Sequence, residues 1–379
     1  MMKKLVLFLV TNVFFSGLVF ASDSFNYLSN PGQITVRRGL QPNATLLEQV
    51  FLSPVMLPYS GIILGLNSAF LVSQILKKAD GVRQGASKTA EGVAHVRSMF
   101  SELGLCNDHL ASLFIQRKHK FINKIHGPYY WYWSKVADLK LGIGAIAARS
   151  DLGDQIFTRF LDKANSKPAE KFRVLHLGAG FDTRFYRFKE MIPSNVELVE
   201  VDIATTQATK LENLEQASIE TGHVNFLSID FGREDLEAKL REKGFWQEDV
   251  VTLFFWEGVS MYLSEENVNK VLNFVGKSAS ESEFYFDVFI DFFTEDAPFK
   301  KSWVGYLNEK LVVNKGEPIR FGIKDRTDEG LNEFLSPFKL EAISTYDSDS
   351  MERLCFTRPS GRIDAGCVDY VIFIHAKVP

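Results

Sequence analysis

The residues best placed for chemistry form a short turn, Gly178-Ala179-Gly180, which directly follows the apolar run 173–177. Glycine has no Cβ and tolerates positive φ, so this turn can bring its backbone close to a bound ligand. A second apolar run ends about twenty residues further on at Asp202, and a carboxylate at that separation can accept hydrogen bonds from ribose hydroxyls. The spacing therefore predicts a site for a nucleoside-containing cofactor.

The residues after the turn distinguish between two kinds of cofactor. A dinucleotide-binding turn would carry a third small residue at position 183, where this chain has Thr183 followed by the bulky Arg184. Asp182 would also repel a diphosphate held at a helix N-terminus. S-adenosylmethionine carries a sulfonium cation and no phosphate, so an acidic residue beside the turn favours it. The pattern predicts S-adenosylmethionine rather than NAD(P).

Other kinds of site have little support in the sequence. No histidine stands at metal-ligand spacing from an acidic residue or a cysteine, so no metal is expected, and His176 is typical of a core histidine with a polar partner. There is neither a Gly-x-Ser-x-Gly elbow nor a phosphate-binding loop. The net charge of -4, without a long basic run, gives no reason to expect nucleic acid as a partner. The three cysteines are too few for a disulfide scaffold, which suits a reducing compartment.

The elements that would position these residues are short apolar strands alternating with helices. The candidate strands occupy residues 173–177, 197–201, 224–228, 250–255, 283–289, 339–344 and 370–375. Helical patterns lie between most of them, including 233–243 and 265–277, and residues 79–165 are mostly helical, including 151–164. This order predicts an α/β protein with a parallel, doubly wound sheet whose ligand lies at the carboxyl ends of the strands.

The N-terminus has the pattern of a targeting segment. Lys3 and Lys4 precede an uncharged apolar run over residues 5–20, and the residues before Ser22 resemble a cleavage site. Residues 1–21 are therefore predicted to be a signal peptide or a signal anchor.

A second apolar segment predicts a membrane span. No charged residue occurs in the 28 positions from Gln49 to Leu76, and two lysines follow at once. This run is long enough to cross a bilayer, and its positive flank would lie in the cytoplasm. We therefore expect a short exterior loop at 22–50, a transmembrane segment at 51–78 and a cytoplasmic domain at 79–379. The alternative is a buried or interfacial hairpin in an exported protein.

Several motifs along the chain belong together. In chain order they are Thr89-Ala90-Glu91 leading to Arg97, Arg149-Ser150 with Asp154, the run from Leu177 to Arg187, Glu200-Val201-Asp202 with Lys210, Ser228-Ile229-Asp230-Phe231, and the run from Trp256 to Leu263. Jointly they resemble the leucine carboxyl methyltransferase family, which includes bacterial O-methyltransferases related to polyketide-synthase methylation. The resemblance implies a class I S-adenosylmethionine-dependent methyltransferase fold, a seven-stranded, doubly wound, Rossmann-like sheet with extra N-terminal helices. It divides the domain into a helical part, 79–168, and a Rossmann-like core, 169–379.

The resemblance also implies roles for individual residues. Gly178 and Gly180 would approach the cofactor, and Asp202 would bind its ribose. Asp230 with the backbone of Phe231 would hold its adenine. Arg97 and Arg149 would bind its carboxylate, and Glu257 would lie near its amino group or sulfonium. Simpler interpretations stay open. Both arginines could be ordinary surface ion-pair residues. Glu200 could be a structural partner of a nearby backbone group or arginine, or a cofactor ligand. Asp182 and Arg184 could pair with each other or cap the following helix.

The methyl acceptor is less well defined. A carboxylate acceptor needs a cationic or hydroxyl-bearing group to hold it, and Arg184, Tyr262 and the aromatic residues 129–133 are candidates. No histidine is placed as a base for a hydroxyl acceptor, which favours a carboxylate. We therefore predict an S-adenosylmethionine-dependent O-methyltransferase that acts beside a membrane on a small-molecule or protein carboxylate or hydroxyl. The alternatives are an NAD(P)-dependent oxidoreductase and a non-catalytic scaffold that binds S-adenosylmethionine.

Overall fold

The computed structural model describes residues 88–102, 104–115, 144–290, 319–357, 367 and 370–379. The predicted signal segment at 1–21, exterior loop at 22–50, transmembrane segment at 51–78 and aromatic candidates at 129–133 all lie outside these ranges. None of the described helices is both long enough and apolar enough to cross a membrane.

Seven strands form a single sheet in the order β3-β2-β1-β4-β5-β7-β6. The strands are β1 (Phe172–Leu177), β2 (Val196–Asp202), β3 (Asn225–Ser228), β4 (Val251–Trp256), β5 (Glu283–Phe289), β6 (Glu341–Tyr346) and β7 (Val371–Lys377). Each predicted strand is present, and β5 has the predicted bounds. The strand order reverses between β1 and β4, and in such sheets the ligand lies in the crevice outside the carboxyl ends of those two strands.

The direction of the last strand differs from the prediction. Strands β1 to β5 are parallel, but β7 runs antiparallel to both β5 and β6. The sheet is therefore mixed rather than wholly parallel. Both faces of β7 are buried, and an apolar run of that kind reads the same in either direction, so its pattern does not encode the reversal.

The helices are α1 (Lys88–Glu102), α2 (Gly144–Ser166), α3 (Arg184–Arg187), α4 (Ala204–Gln216), α5 (Leu236–Glu242), α6 (Glu265–Val275), α7 (Asp328–Leu335) and α8 (Ser348–Phe356). Short 3-10 turns occupy Ala111–Phe114, Lys189–Met191, Ser260–Tyr262 and Ser336–Phe338. Ser264 caps the N-terminus of helix α6, because its hydroxyl accepts a hydrogen bond from the backbone N–H of Asn267. The predicted helices at 151–164, 233–243 and 265–277 correspond to α2, α5 and α6.

The two faces of the sheet bury separate apolar cores. Phe157 of α2 belongs to the core on one face together with Val174 of β1. Leu272 of α6 belongs to the core on the other face together with Leu175. Because side chains alternate along a strand, His176 points to the same face as Val174, towards α2. The polar residues at the carboxyl ends of β1 and β4 therefore meet beneath α2.

Candidate functional site

The turn after β1 has the geometry that its glycines predict. Gly178 and Gly180 have φ values of +73° and +47°, in the left-handed region that favours glycine. The N–H groups of Gly178 and Ala179 both donate to the carbonyl oxygen of Val201 in β2, at 2.7 and 3.0 Å. A Cβ at Gly178 would lie 2.3 Å from Cγ2 of Val259 in the loop after β4. The turn is thus held between β2 and the β4 loop with no room for a side chain.

We expect Gly178→Ala to lose cofactor binding and to lower the melting temperature. The variant combines backbone strain of about 1–2 kcal/mol with the clash against Val259. Gly244→Ala is the matched control, because Gly244 has a φ of +74° and an added Cβ there would meet nothing within 4 Å. Thermal denaturation of both variants separates the two costs, and equal losses of stability would show that the Val259 contact is unimportant.

Asp202 joins the end of β2 to the glycine turn. One of its carboxylate oxygens accepts the N–H of Gly180 at 2.5 Å, and the other accepts the N–H of Ile203 at 2.7 Å. Its side chain remains partly exposed, and a carboxylate oxygen can accept more than one hydrogen bond. The structure therefore brings together the turn and the carboxylate that the sequence predicts for ribose binding.

Asp230 and Phe231 lie at the end of β3, on the same edge of the sheet. The N–H of Ile229 donates to the carbonyl oxygen of Asp202 at 2.9 Å, which places this segment beside the end of β2. The Asp230 carboxylate accepts the N–H of Gly232 at 2.9 Å, and 47% of the side chain is exposed. Its position is compatible with the predicted adenine contact, which stays a prediction.

The two arginines predicted to bind a carboxylate are already paired. Arg97 contacts Asp108 at 2.6 Å and donates to the carbonyl oxygen of Phe181 in the turn, also at 2.6 Å. Arg149 contacts Asp287 of β5 at 2.8 Å and lies 3.8 Å from Glu257. Both guanidinium groups thus stand beside the crevice as members of ion pairs, and their binding of a cofactor carboxylate stays a prediction.

Arg184 lies at the centre of the buried charges beneath the crevice. Its side chain is fully buried and contacts Glu257 at 2.9 Å, Asp154 at 3.0 Å and Asp182 at 3.6 Å. The pairing of Asp182 with Arg184, left open from the sequence, is therefore present. Full burial favours a structural role for Arg184 over contact with a methyl acceptor. Tyr262, which is partly exposed at the end of a 3-10 turn, stays a candidate, as do the aromatic residues 129–133 outside the described ranges.

His176 differs from the core histidine expected of it. It is 2% exposed, and its Nδ1 has no hydrogen-bond partner among the described residues. Its two ring nitrogens each lie 3.9 Å from a carboxylate oxygen, Nδ1 from Asp182 and Nε2 from Glu257. Burial lowers the pKa of His176 to about 3, with Arg184 contributing in the same direction and Asp182 opposing it. The imidazole is therefore neutral at physiological pH.

These three residues also form a group that sequence spacing could not reveal. His176, Asp182 and Glu257 come from β1, the turn and the end of β4, and their ligand atoms lie within 4.8 Å of one another. That geometry could hold a metal ion, but Arg184 pairs with both carboxylates. Burial opposes ionisation of Asp182, yet Arg184 and Arg97 hold its pKa well below the usual value. The guanidinium groups thus already neutralise these carboxylates, as a metal cation would.

Buried ion pairs surround the crevice. Four guanidinium groups, those of Arg97, Arg149, Arg184 and Arg187, contact five carboxylates, those of Asp108, Asp154, Asp182, Glu257 and Asp287. Each of these carboxylates therefore has a guanidinium partner. Sequence reasoning missed Asp108, Asp287 and Arg187. The signal for Asp287 was present, because an acidic residue in the apolar strand β5 needs a buried partner.

Glu200 has a structural partner. Its carboxylate contacts Lys210 of α4 at 2.6 Å, and both side chains are almost completely buried. This pair lies on β2 and α4, beside the charges described above, and it adds no net charge to them. Of the two interpretations left open for Glu200, the structure shows the ion pair.

The strand order, the glycine turn and the carboxylates at the ends of β2 and β4 define a class I S-adenosylmethionine-dependent methyltransferase fold. Residues 88–276 match the family model described as leucine carboxyl methyltransferase. Through these residues the chain belongs to that family, which confirms the resemblance seen in the sequence.

The individual proteins that are similar to this chain share less than a third of their aligned residues with it. YktD of Bacillus subtilis (strain 168), provisionally named an S-adenosyl-L-methionine-dependent methyltransferase, is 28% identical over 205 residues. That alignment covers 53% of this chain and 63% of YktD, so the chain spans less than two thirds of this relative. A DUF574 family protein from Streptomyces avermitilis MA-4680 is similar with a TM-score of 0.43 and 15% identity, over 67% of this chain and 91% of that one. The CurJ carbon methyltransferase gives a TM-score of 0.43 and 14% identity, over 83% and 70% of the two chains.

Proposed function

We propose that the protein is an S-adenosylmethionine-dependent O-methyltransferase whose acceptor is a carboxylate or a hydroxyl, with a carboxylate favoured. The observation that carries this proposal is the contact between Gly180 and Asp202 at the crevice, opposite Glu257 at the end of β4. The family relation supports the same cofactor. In this proposal Asp202 binds the ribose, Asp230 with Phe231 binds the adenine, and Glu257 lies near the cationic end of the cofactor.

The charge of the crevice supports this cofactor over a dinucleotide. The carboxylates of Asp202 and Glu257 at the ends of β2 and β4 would attract the sulfonium and ammonium groups of S-adenosylmethionine. The diphosphate of NAD(P) would bring two negative charges to the same place. The positive φ values of Gly178 and Gly180 suit a turn whose backbone approaches a ligand closely.

The state of His176 supports a carboxylate acceptor. Methyl transfer from a sulfonium to an ionised oxygen is an in-line displacement, and this is the chemistry that the cofactor supplies when bound. A carboxylate is ionised near neutral pH, whereas a hydroxyl needs a base within hydrogen-bond reach. His176 is a poor base because burial lowers its pKa to about 3. The protein's contribution is then alignment, which can supply about 7–11 kcal/mol of the barrier.

Binding of the cofactor is expected to weaken as the pH falls. Burial raises the pKa of Glu257, an effect that Arg184 and Arg149 only partly offset. A cationic ligand prefers the ionised carboxylate, so the affinity for S-adenosylmethionine should decrease as the pH falls towards the raised pKa of Glu257. Glu257→Gln should bind more weakly at pH 7 and lose most of this dependence. Calorimetric titration at several pH values measures both effects, and an unchanged pH dependence in the variant would assign it to another group.

The test of the acceptor is a transfer assay with methyl-labelled S-adenosylmethionine and extracts of cells that lack the gene. A methyl ester is hydrolysed by mild base and releases volatile labelled methanol, whereas a methyl ether or a methylamine retains its label. Base-labile label that depends on the protein is the expected result. Base-stable label would contradict the carboxylate proposal, and no transfer to any acceptor would favour the non-catalytic scaffold.

We also propose that the catalytic domain is anchored at the cytoplasmic face of a membrane. The support is the uncharged run from Gln49 to Leu76 and the lysines that follow it, which match the length and flanking charge of a membrane span. S-adenosylmethionine is made in the cytosol, so a cytoplasmic domain would have access to it. A reporter fused after Lys78 should be active only on the cytoplasmic side, and activity in the exported compartment would overturn this topology.

A further inference from the structure

Residues 319–323 cross the carboxyl edge of the sheet near the crevice. The carbonyl oxygen of Met261, in the 3-10 turn after β4, accepts the backbone N–H of Arg320 at 2.7 Å. Further along, the N–H of Ile323 donates to the carbonyl oxygen of Phe289, the last residue of β5, at 2.8 Å. The segment is thus tied by backbone hydrogen bonds to the turn after β4 and to the end of β5.

Arg320 differs from the other guanidinium groups described above. Those four are held in buried pairs with carboxylates, whereas Arg320 is exposed and its side chain forms no ion pair within the described ranges. Its neighbour Phe321 packs against the apolar core below and stacks at a tilt on Phe334, with 6.1 Å between the ring centroids. The backbone at Arg320 is therefore anchored while its guanidinium donors stay available to a ligand.

The strand order indicates where a methyl acceptor would lie. The proposed contacts to the adenosine half of the cofactor, Gly180, Asp202 and Asp230, follow β1, β2 and β3, which are neighbours on one side of the sheet. An in-line displacement needs the nucleophile opposite the sulfur, across the methyl group, so the acceptor lies away from that half. Strands β4 and β5 lie on the other side of β1, and Tyr262 and Arg320 are found at their carboxyl ends.

We propose that Arg320 binds the carboxylate of the acceptor and selects anionic acceptors. The proposal rests on the proposed function and deepens it, because it assigns a residue to the acceptor. A guanidinium group can donate two parallel hydrogen bonds to a carboxylate, which fixes both its position and its orientation. A carboxylate oxygen then forms a bond to the methyl carbon while the carbon–sulfur bond breaks and its electron pair stays on sulfur. The product is a neutral ester, which a guanidinium holds less tightly than the anion, so the same contact favours product release.

This role predicts an effect on acceptor binding rather than on the maximal rate. The acceptor's negative charge decreases as the new bond forms, so Arg320 holds the bound anion at least as strongly as the transition state. Removal of such an interaction raises the acceptor concentration needed for half-maximal rate and leaves the maximal rate near that of the wild type.

The test uses the full-length protein, methyl-labelled S-adenosylmethionine and a dilution series of extract from cells that lack the gene. Arg320→Gln should need about tenfold more extract, or a greater excess, for half-maximal formation of base-labile label, as expected for lost hydrogen bonds to a charged group. Its maximal rate and its affinity for adenosylhomocysteine should equal those of the wild type. Arg320→Lys should recover part of the loss, because an ammonium group keeps the charge but not the paired geometry.

Arg326→Gln is the matched control. Arg326 is an exposed arginine of the same segment, two residues before Asp328, which contacts Thr345 of β6 at 3.5 Å. Strand β6 is the edge strand and lies three strands from β4. This variant removes the same charge from the same edge of the sheet, and its half-maximal extract concentration should equal that of the wild type.

The outcomes separate this inference from the proposed function. If the wild-type protein binds no adenosylhomocysteine or forms no base-labile label, the proposed function is wrong and the inference fails with it. If the wild type forms the label but Arg320→Gln loses only maximal rate or cofactor affinity, Arg320 acts on the fold or on the cofactor, and the inference alone is overturned. An unchanged half-maximal extract concentration in Arg320→Gln, or an equal rise in Arg326→Gln, overturns it as well.

Discussion

Asp202→Ala is expected to abolish detectable binding of adenosylhomocysteine while the protein remains folded. The carboxylate accepts the Gly180 N–H and is placed to accept two hydroxyls of a ribose. The loss of two hydrogen bonds to a charged group, at about 1.5 kcal/mol each, corresponds to about a hundredfold weaker binding or more. Because the side chain is partly exposed, the fold should tolerate its removal. Calorimetric titration measures the affinity, and circular dichroism shows that the fold is retained.

The control for this variant is Glu215→Gln, which removes an exposed carboxylate from α4, the helix that follows β2. It changes the net charge by the same amount near the same strand, and its affinity should equal that of the wild type. If Asp202→Ala binds as the wild type does, the site is misassigned. If both variants bind more weakly, the effect comes from the overall field of the protein and not from a specific contact.

Arg184→Met is expected to destabilise the protein by about 3–5 kcal/mol, the cost of leaving a buried ion pair without one partner. The guanidinium group contacts Asp154, Asp182 and Glu257 and has no exposed surface. Its removal leaves these carboxylates facing one another in a buried region, where their repulsion is poorly screened. Urea unfolding followed by circular dichroism measures the change in the free energy of unfolding.

Arg241→Met provides the comparison. Arg241 also contacts two carboxylates, those of Glu237 and Glu248, but 45% of its side chain is exposed, and exposed ion pairs contribute little. Its free energy of unfolding should stay within error of the wild type. A small loss in Arg184→Met, similar to that in Arg241→Met, would mean that the buried carboxylates find other partners and that Arg184 does not hold the site together.

Much of the fold could be predicted because its signals are local. The apolar run before Gly178 predicts β1, and the glycines predict the positive φ values of the turn. The separation between the turn and Asp202 was also sufficient to pair them across two adjacent parallel strands. These features depend on residues close in sequence or on a spacing that a strand-helix-strand unit fixes.

What could not be predicted depends on contacts between distant segments. Strand β7 runs antiparallel to both β5 and β6. Its apolar pattern is the same in either direction, so the pattern could not predict the reversal. The partners of Arg184 come from α2, the turn and the end of β4, so no spacing along the chain reveals them. His176 was interpreted as a core histidine because its neighbours in the strand are apolar, whereas its surroundings are set by Asp182 and Glu257.

The crevice outside β1 and β4 is expected to bind S-adenosylmethionine and not a dinucleotide. The decisive measurement is calorimetric titration of the purified full-length protein with S-adenosylmethionine, adenosylhomocysteine and NAD⁺. We expect saturable binding of the two methionine-derived ligands and no binding of NAD⁺. Saturable binding of NAD⁺, or failure to bind either methionine-derived ligand, would show that the cofactor is misassigned.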